Sequence, residues 1–156
     1  MREILFRGQT RKYGEKVRMG DGQKLPGNWV YGGVLQGVGS HSIIYGYEKL
    51  DDQCGVFDKW CVHTDTLGQF TGLTDKNGKK IFEGDIVRVL GNQQVEDWKC
   101  VDYIGLVAFL DAGFCVIDGT IDNHGFRRYA LPRLDFSLEV IGNIHDNPEL
   151  LEVDDG

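Results

Sequence analysis

The chain has 156 residues, of which 41% are hydrophobic, 22 are glycine and three are proline. This composition supports a folded core and excludes a collagen-like, low-complexity or wholly disordered chain. The formal net charge is −7, and no apolar stretch has the length that predicts a membrane span.

The charged residues are distributed unevenly along the chain. Residues 1–63 hold nine Lys and Arg against seven Asp and Glu, a balance of +2, whereas residues 64–156 hold eight against seventeen, a balance of −9. The composition therefore predicts an N-terminal β subdomain over residues 1–63 and a C-terminal subdomain over residues 64–156. Residues 1–18 alone carry six basic and two acidic side chains, an asymmetry that affects assembly and partner choice rather than fold.

Short strand-like segments alternate with glycine-containing turns in the N-terminal part, and no helical period is present. This pattern is typical of an all-β fold. A polar loop is predicted between Gly8 and Leu25. The predicted strands are Glu3–Phe6, Trp29–Leu35, Ile43–Tyr47 and Val56–Val62.

The clearest predicted element is a β-hairpin with strands at 69–73 and 80–83. Its loop contains an Asp75 side chain that can cap the turn, followed by Asn77 and Gly78, which both tolerate positive φ. The run therefore predicts a type I turn closed by Gly78 in the left-handed region.

Further short strands and one helical turn are predicted after the hairpin. Gly105 interrupts one of these strands and is interpreted as a bulge. Residues 147–151 predict a short helical turn, with Asn147 as N-cap and Pro148 at the first position. The predicted strands are Ile86–Leu90, Ile104–Phe109, Phe114–Ile117, Phe126–Leu131 and Leu138–Ile144.

Several runs of residues, in order along the chain, carry a resemblance to a known family. They are Arg2–Gly8, Trp29–Gly33, Thr66–Leu73 (TLGQFTGL), Phe82–Val87 (FEGDIV), Val140–Ile144 (VIGNI) and Asn147–Leu150 (NPEL). Together they resemble the YopX family, small proteins found mainly in phages and prophages, which has Val and Tyr where this chain has Leu67 and Phe70. The resemblance implies a predominantly β fold with a C-terminal SH3-like barrel, and it supplies no catalytic residues.

Cysteine spacing gives the one candidate metal site, which would begin with Cys54, Cys61 and His63. Tetrahedral zinc sites commonly pair cysteines two to four residues apart. Here Cys54 and Cys61 are separated by six residues, and Cys100 and Cys115 form no second pair. We therefore expect no metal, no cofactor and reduced thiols.

A candidate acid–base cluster lies around His124, with Asp122, Arg127 and Arg128 nearby in sequence. The Asp-Asn-His-Gly run favours a turn, where such residues serve backbone conformation. A general base also needs an oriented partner. We therefore expect a protein that is not an enzyme.

Nucleic-acid binding is an alternative function. The turn at Gly84 and Asp85 resembles one in SH3-like barrels that bind nucleic acid, and the segment Arg7–Arg18 is basic. Phosphate neutralisation supplies most non-specific affinity, however, and the half that holds this turn is acidic. Nucleic acid is therefore the less favoured partner.

The N-terminal part is rich in aromatic residues, and so short a unit cannot bury all of them. We therefore expect a homo-oligomer formed through this part, with a host or phage protein as a further partner. The residues Met1–Glu3 lead into a predicted strand without an apolar leader, so we expect a cytoplasmic protein without a membrane partner. The aromatic residues are Trp29, Tyr31, Tyr45, Tyr47, Phe57 and Trp60.

Overall fold

Strands separated by short turns make up most of the computed structural model. It describes residues 3–10, 28–35, 37, 39–47, 57–90, 103–122, 125–130 and 137–152. The chain divides into two units, residues 1–70 and 71–156. The domain limits expected from composition, 1–63 and 64–156, stay a prediction.

The first unit is an antiparallel sheet with the strand order β4-β3-β2-β1-β5. The first strand therefore lies inside the sheet, between β2 and β5. The buried apolar side chains of the first unit include Ile44 and Val62. The strands are β1 Phe6–Gln9, β2 Trp29–Leu35, β3 His41–Tyr47, β4 Phe57–His63 and β5 Gly68–Thr74, the last of which continues into the second unit.

The predicted first strand, Glu3–Phe6, was wrong in its position. The observed β1 begins at Phe6 and continues through Gly8 and Gln9, into the predicted loop. Gly8 suits this position because a Cβ there would lie 2.9 Å from a methyl group of Val62. The backbone N–H of Gln9 donates to Thr66 Oγ1 at 2.8 Å. The position of β1 is therefore set by the close approach of Val62 to Gly8 and by backbone hydrogen bonding, and not by an apolar run in the sequence.

The second unit contains a five-stranded antiparallel sheet with the order β10-β9-β8-β7-β11, while β6 pairs with the continuing β5. Its strands are β6 Lys80–Phe82, β7 Asp85–Leu90, β8 Tyr103–Leu110, β9 Gly113–Asp122, β10 Gly125–Ala130 and β11 Ser137–Asn143. Its core consists of Ile81, Val87, Val89, Val107, Val116 and Leu138. The predicted all-β class is confirmed; closure of this sheet into an SH3-like barrel stays a prediction.

Gly105 does not form the predicted bulge. It pairs in regular register with Val87 on one side and Asp118 on the other. A Cβ at this position would lie 2.4 Å from Val116 Cγ1. The glycine therefore allows close packing within the sheet.

The predicted C-terminal helical turn is confirmed as a 3-10 helix, Pro148–Leu151, with Asn147 at the N-cap position. The Asn147 side chain makes no capping hydrogen bond. Its Oδ1 instead accepts from the backbone N–H of Asn143 at 3.4 Å. The predicted capping role of the Asn147 side chain was therefore wrong.

The predicted turn of the central hairpin is confirmed in detail. Gly78 has a φ of +79°, and its N–H donates to the carbonyl of Asp75 at 3.0 Å. The Asp75 N–H donates to the carbonyl of Lys79 at 2.8 Å and closes the hairpin. A left-handed residue after a type I turn is the geometry expected for a loop of this length.

The Asp75 carboxylate connects this turn to strand β11. Its Oδ1 accepts from the N–H groups of Asn77 at 2.8 Å and Lys79 at 2.9 Å. Its Oδ2 accepts from the N–H of Val140, 65 residues away, at 3.0 Å. One side chain therefore sets the turn conformation and also holds the turn against β11.

These contacts determine the protonation of Asp75. Burial raises the pKa of its carboxyl, but the N–H donors of Val140, Lys79 and Asn77 and the Lys79 ammonium together lower it below the ordinary value. Because the pKa is lower in the folded than in the unfolded chain, this stabilisation is complete above the unfolded pKa of about 3.9. It is lost as the pH falls through the folded pKa.

Replacing Gly78 by alanine should lower the free energy of unfolding by about 1 kcal/mol, because an L-residue in the left-handed region costs about 1–2 kcal/mol. Gly113→Ala is the matched control. A Cβ meets nothing within 4 Å at either position, and only Gly78 has positive φ. Urea unfolding of both variants measures the difference. Equal stability of the two would contradict the assigned turn.

Asp75→Asn should lower the free energy of unfolding at pH 7 by about 2–3 kcal/mol, since a hydrogen bond to a charged group contributes about 1.5–3 kcal/mol. The amide can keep one acceptor oxygen for the turn but places an NH2 group against the Val140 N–H. The difference from the wild-type protein should stay constant from pH 7 down to about 4 and shrink only below that, as the pH falls through the lowered pKa of Asp75 in the folded chain. A difference independent of pH would show that the charge plays no part.

Candidate protein-interaction surface

One face of strands β2, β3 and β4 places exposed and half-buried side chains in rows across the sheet. Leu35 is paired with Ile43, and Ile43 with Cys61. In the next row Gly33 is paired with Tyr45, and Tyr45 with Lys59. Side chains two residues apart on a strand share a face. The β2–β4 face is accordingly defined as Tyr31, Leu35, His41, Ile43, Tyr45, Lys59, Cys61 and His63.

The opposite face of the same strands is buried or half-buried. Ser42, Ile44 and Val62 lie at alternate positions and are at most 1% exposed. By contrast, Tyr31 is 47% exposed and Leu35 is 56% exposed on the β2–β4 face. The prediction that some N-terminal aromatic rings lie near the surface is confirmed by Tyr31. Large apolar side chains collected on one exposed sheet face are typical of an interaction surface.

The β2–β4 face has few charged groups. Its Lys59 Nζ lies 6.0 Å from the centre of the Tyr45 ring, within the range of a cation–π contact. The other side chains of the face are aromatic, aliphatic, thiol or imidazole. Tyrosine enrichment with few charges is the composition found at the centres of protein–protein interfaces.

Trp29 and Arg7 lie on the same side of the sheet as Tyr31. The Arg7 guanidinium carbon lies 4.5 Å from the centre of the Trp29 ring, and Arg7 is 6% exposed. This arginine packs against an aromatic ring rather than presenting its charge to solvent. It is therefore not an exposed phosphate contact of the kind that the nucleic-acid alternative would use. Residues 11–18 of the basic segment lie outside the described residues.

Among the described residues of the second unit, the exposed apolar side chains of β8 do not form a comparable face. Ile104, Phe109 and Leu110 are all exposed on β8. Strand alternation places Phe109 on the opposite side of β8 from the other two. The Phe109 ring instead packs edge-on against Phe114, with the ring centres 5.0 Å apart.

Of the candidate metal ligands, Cys61 and His63 lie two residues apart on strand β4 and share the β2–β4 face. Cys61 is exposed on the β2–β4 face and Cys115 is buried in β9, while Cys54 and Cys100 lie outside the described residues. His63 lies beside His41, a residue that sequence reasoning did not consider. Among the residues that the structure describes, no group of three or more His, Cys, Asp and Glu side chains could hold a metal ion.

The other candidate residues fall into two groups. His124 and the side chains of Asp122, Arg127 and Arg128 lie outside the described residues, as do the rings of Tyr47 and Phe57. Gly84 has a φ of +83°, and the buried Asp85 accepts from the Phe82 N–H at 2.8 Å. The Asp85 carboxylate therefore stabilises the backbone of its own turn through a hydrogen bond.

Comparison with known proteins agrees with the motifs in the sequence. The model of the YopX protein family matches residues 30–152. The chain belongs to the YopX family. Among solved structures, this YopX protein is similar to protein EF1440 from Enterococcus faecalis, with 28% identity, a TM-score of 0.39, and coverage of 69% of this chain and 75% of that one. No curated protein matches the chain.

Membership of the YopX family confirms the predicted resemblance. Membership of this family assigns no activity to the chain. Within the described part of the chain, no helix is long and apolar enough to cross a membrane.

Proposed function

We propose that this YopX protein is a non-enzymatic accessory protein of a phage or prophage, acting in the cytoplasm of the bacterial host. In this proposal it self-associates through the β2–β4 face and also binds a protein partner. The observation that carries the proposal is the exposure of two large side chains, Tyr31 and Leu35, on one face of strand β2.

The physical reason is the cost of leaving this face in water. Burying apolar surface is favourable by about 25 cal/mol per Å². A second copy of the chain carries the same apolar face and can cover it. The rows across β2–β4 lie on paired strands, so little conformational entropy is lost when a partner packs on them. Strand β4 is also the last described strand of its sheet, and edge strands offer further pairing.

The position of β1 inside the sheet makes an N-terminal truncation a poor test of assembly. Because β1 lies between β2 and β5, removing residues 1–18 would take an internal strand out of the sheet. A point substitution on the β2–β4 face leaves the sheet intact and tests the surface alone.

Leu35→Arg should convert an oligomer to a monomer, because an unpaired charge in an apolar interface is strongly unfavourable. Light scattering at about 100 μM chain detects even an interface with a micromolar dissociation constant. Leu110→Arg is the matched control: Leu110 is exposed in the second unit, and its replacement should leave the oligomer unchanged. A monomeric wild-type protein, or an oligomer that survives Leu35→Arg, would contradict the proposed surface.

Nucleic-acid binding remains the competing prediction, and a second measurement separates it from the first. A DNA-binding protein is retained on immobilised DNA at low salt and released as salt rises. We expect the wild-type protein to flow through such a column. Salt-dependent retention would favour the basic segment as a nucleic-acid contact instead.

A further inference from the structure

Two histidines meet across the end of the β3–β4 pair. His41 and His63 are directly opposite in the register, and their ring centres lie 5.0 Å apart, with an angle of 40° between the planes. Directly paired residues of antiparallel strands have Cβ atoms about 4.5–5.5 Å apart. The backbone thus holds the two rings together although 21 residues separate them in sequence.

We infer that this pair binds a first-row divalent transition ion, with both imidazoles as ligands. Metal–nitrogen distances of about 2.0–2.1 Å in a tetrahedral site place two ligating imidazole rings about 5 Å apart, centre to centre. The observed separation matches this value. Each imidazole has two nitrogens, so one nitrogen can keep a hydrogen bond to the protein while the other binds the ion.

A hydroxyl beside the pair provides the supporting contact that metal-binding histidines commonly have. Ser40 Oγ lies 2.9 Å from His41 Nδ1. A hydrogen bond at Nδ1 fixes the ring orientation, and donation from Nδ1–H leaves Nε2 as the ligand. This role for Ser40 distinguishes an oriented site from two adjacent surface histidines.

The backbone around the pair is also held in place. The Thr64 N–H donates to the Ser40 carbonyl at 2.9 Å, immediately next to the two histidines. The hydroxyls of Ser42 and Thr64 are 2.9 Å apart and hydrogen-bond each other. The two ligands therefore lie on strands that are already fixed, and binding needs little rearrangement.

The ligand set defines the ion and the character of the site. Imidazole nitrogens suit Zn²⁺, Ni²⁺ and Cu²⁺ rather than Mg²⁺ or Ca²⁺. Two protein ligands leave the remaining coordination positions of the ion to water when the β2–β4 face is not covered by a partner. The expectation of no metal, which came from cysteine spacing, did not consider His41.

Titration of the tag-free chain with Ni²⁺, followed by calorimetry, tests this inference. Nickel is the probe because imidazole is a good ligand for it, whereas soft thiolates favour zinc. We expect one Ni²⁺ per chain, with a dissociation constant below about 0.1 mM. His41→Asn and His63→Asn should each weaken binding at least about tenfold, and Ser40→Ala should weaken it by up to about tenfold through ring orientation.

Three variants are controls. His124→Asn and His145→Asn alter the other two histidines of the chain, and Cys61→Ser alters the neighbouring thiol on the same face. All three should bind Ni²⁺ as the wild-type protein does. Far-UV circular dichroism of every variant verifies the fold. Absence of binding by the wild-type chain, unchanged affinity in either His41→Asn or His63→Asn, or an equal loss in a control would overturn the two-histidine site.

Discussion

The hydrogen bonds accepted by the Asp75 carboxylate are the constraint on which the second unit depends most. A hairpin turn ordinarily fixes the register of its own two strands. Here the same carboxylate also accepts from the Val140 N–H of β11, and the Lys76 N–H donates to the Leu138 carbonyl at 2.8 Å. A local turn and a distant strand are thereby positioned by one side chain. The salt bridge of Lys76 Nζ to Glu139, at 3.0 Å, is partly exposed and adds less.

Much of the local structure could be predicted because it is encoded in adjacent residues. The run from Asp75 to Gly78 requires a side-chain acceptor and a residue tolerant of positive φ, and both requirements are visible in sequence. The limits of β2 were also predicted correctly. Between the strands predicted to end at Phe109 and to begin at Phe114, the positive-φ residues are Asp111 and Ala112, for which the sequence gives a weaker signal.

What could not be predicted depends on contacts between distant residues. The Val140 partner of Asp75, the close packing of Gly105 on Val116 and the meeting of His41 with His63 each need the strand register. The β2–β4 face was predicted only in part. Aromatic content indicated that some rings would be exposed, but only the register places Leu35, Ile43 and Cys61 in one row.

Several buried polar side chains of this fold hydrogen-bond to backbone groups, which limits the other roles that these side chains can have. Asp75 and Asp85 accept from backbone N–H groups. Thr66 Oγ1 accepts from the Gln9 N–H and donates to the His63 carbonyl. Buried backbone groups must be paired, and a carboxylate or hydroxyl committed to that pairing is not available to hold or move a proton on a substrate. In the described part of the chain, these interior groups therefore stabilise the backbone, whereas the imidazoles, phenols and thiol of the β2–β4 face remain at the surface. This division supports the proposed recognition at the β2–β4 face.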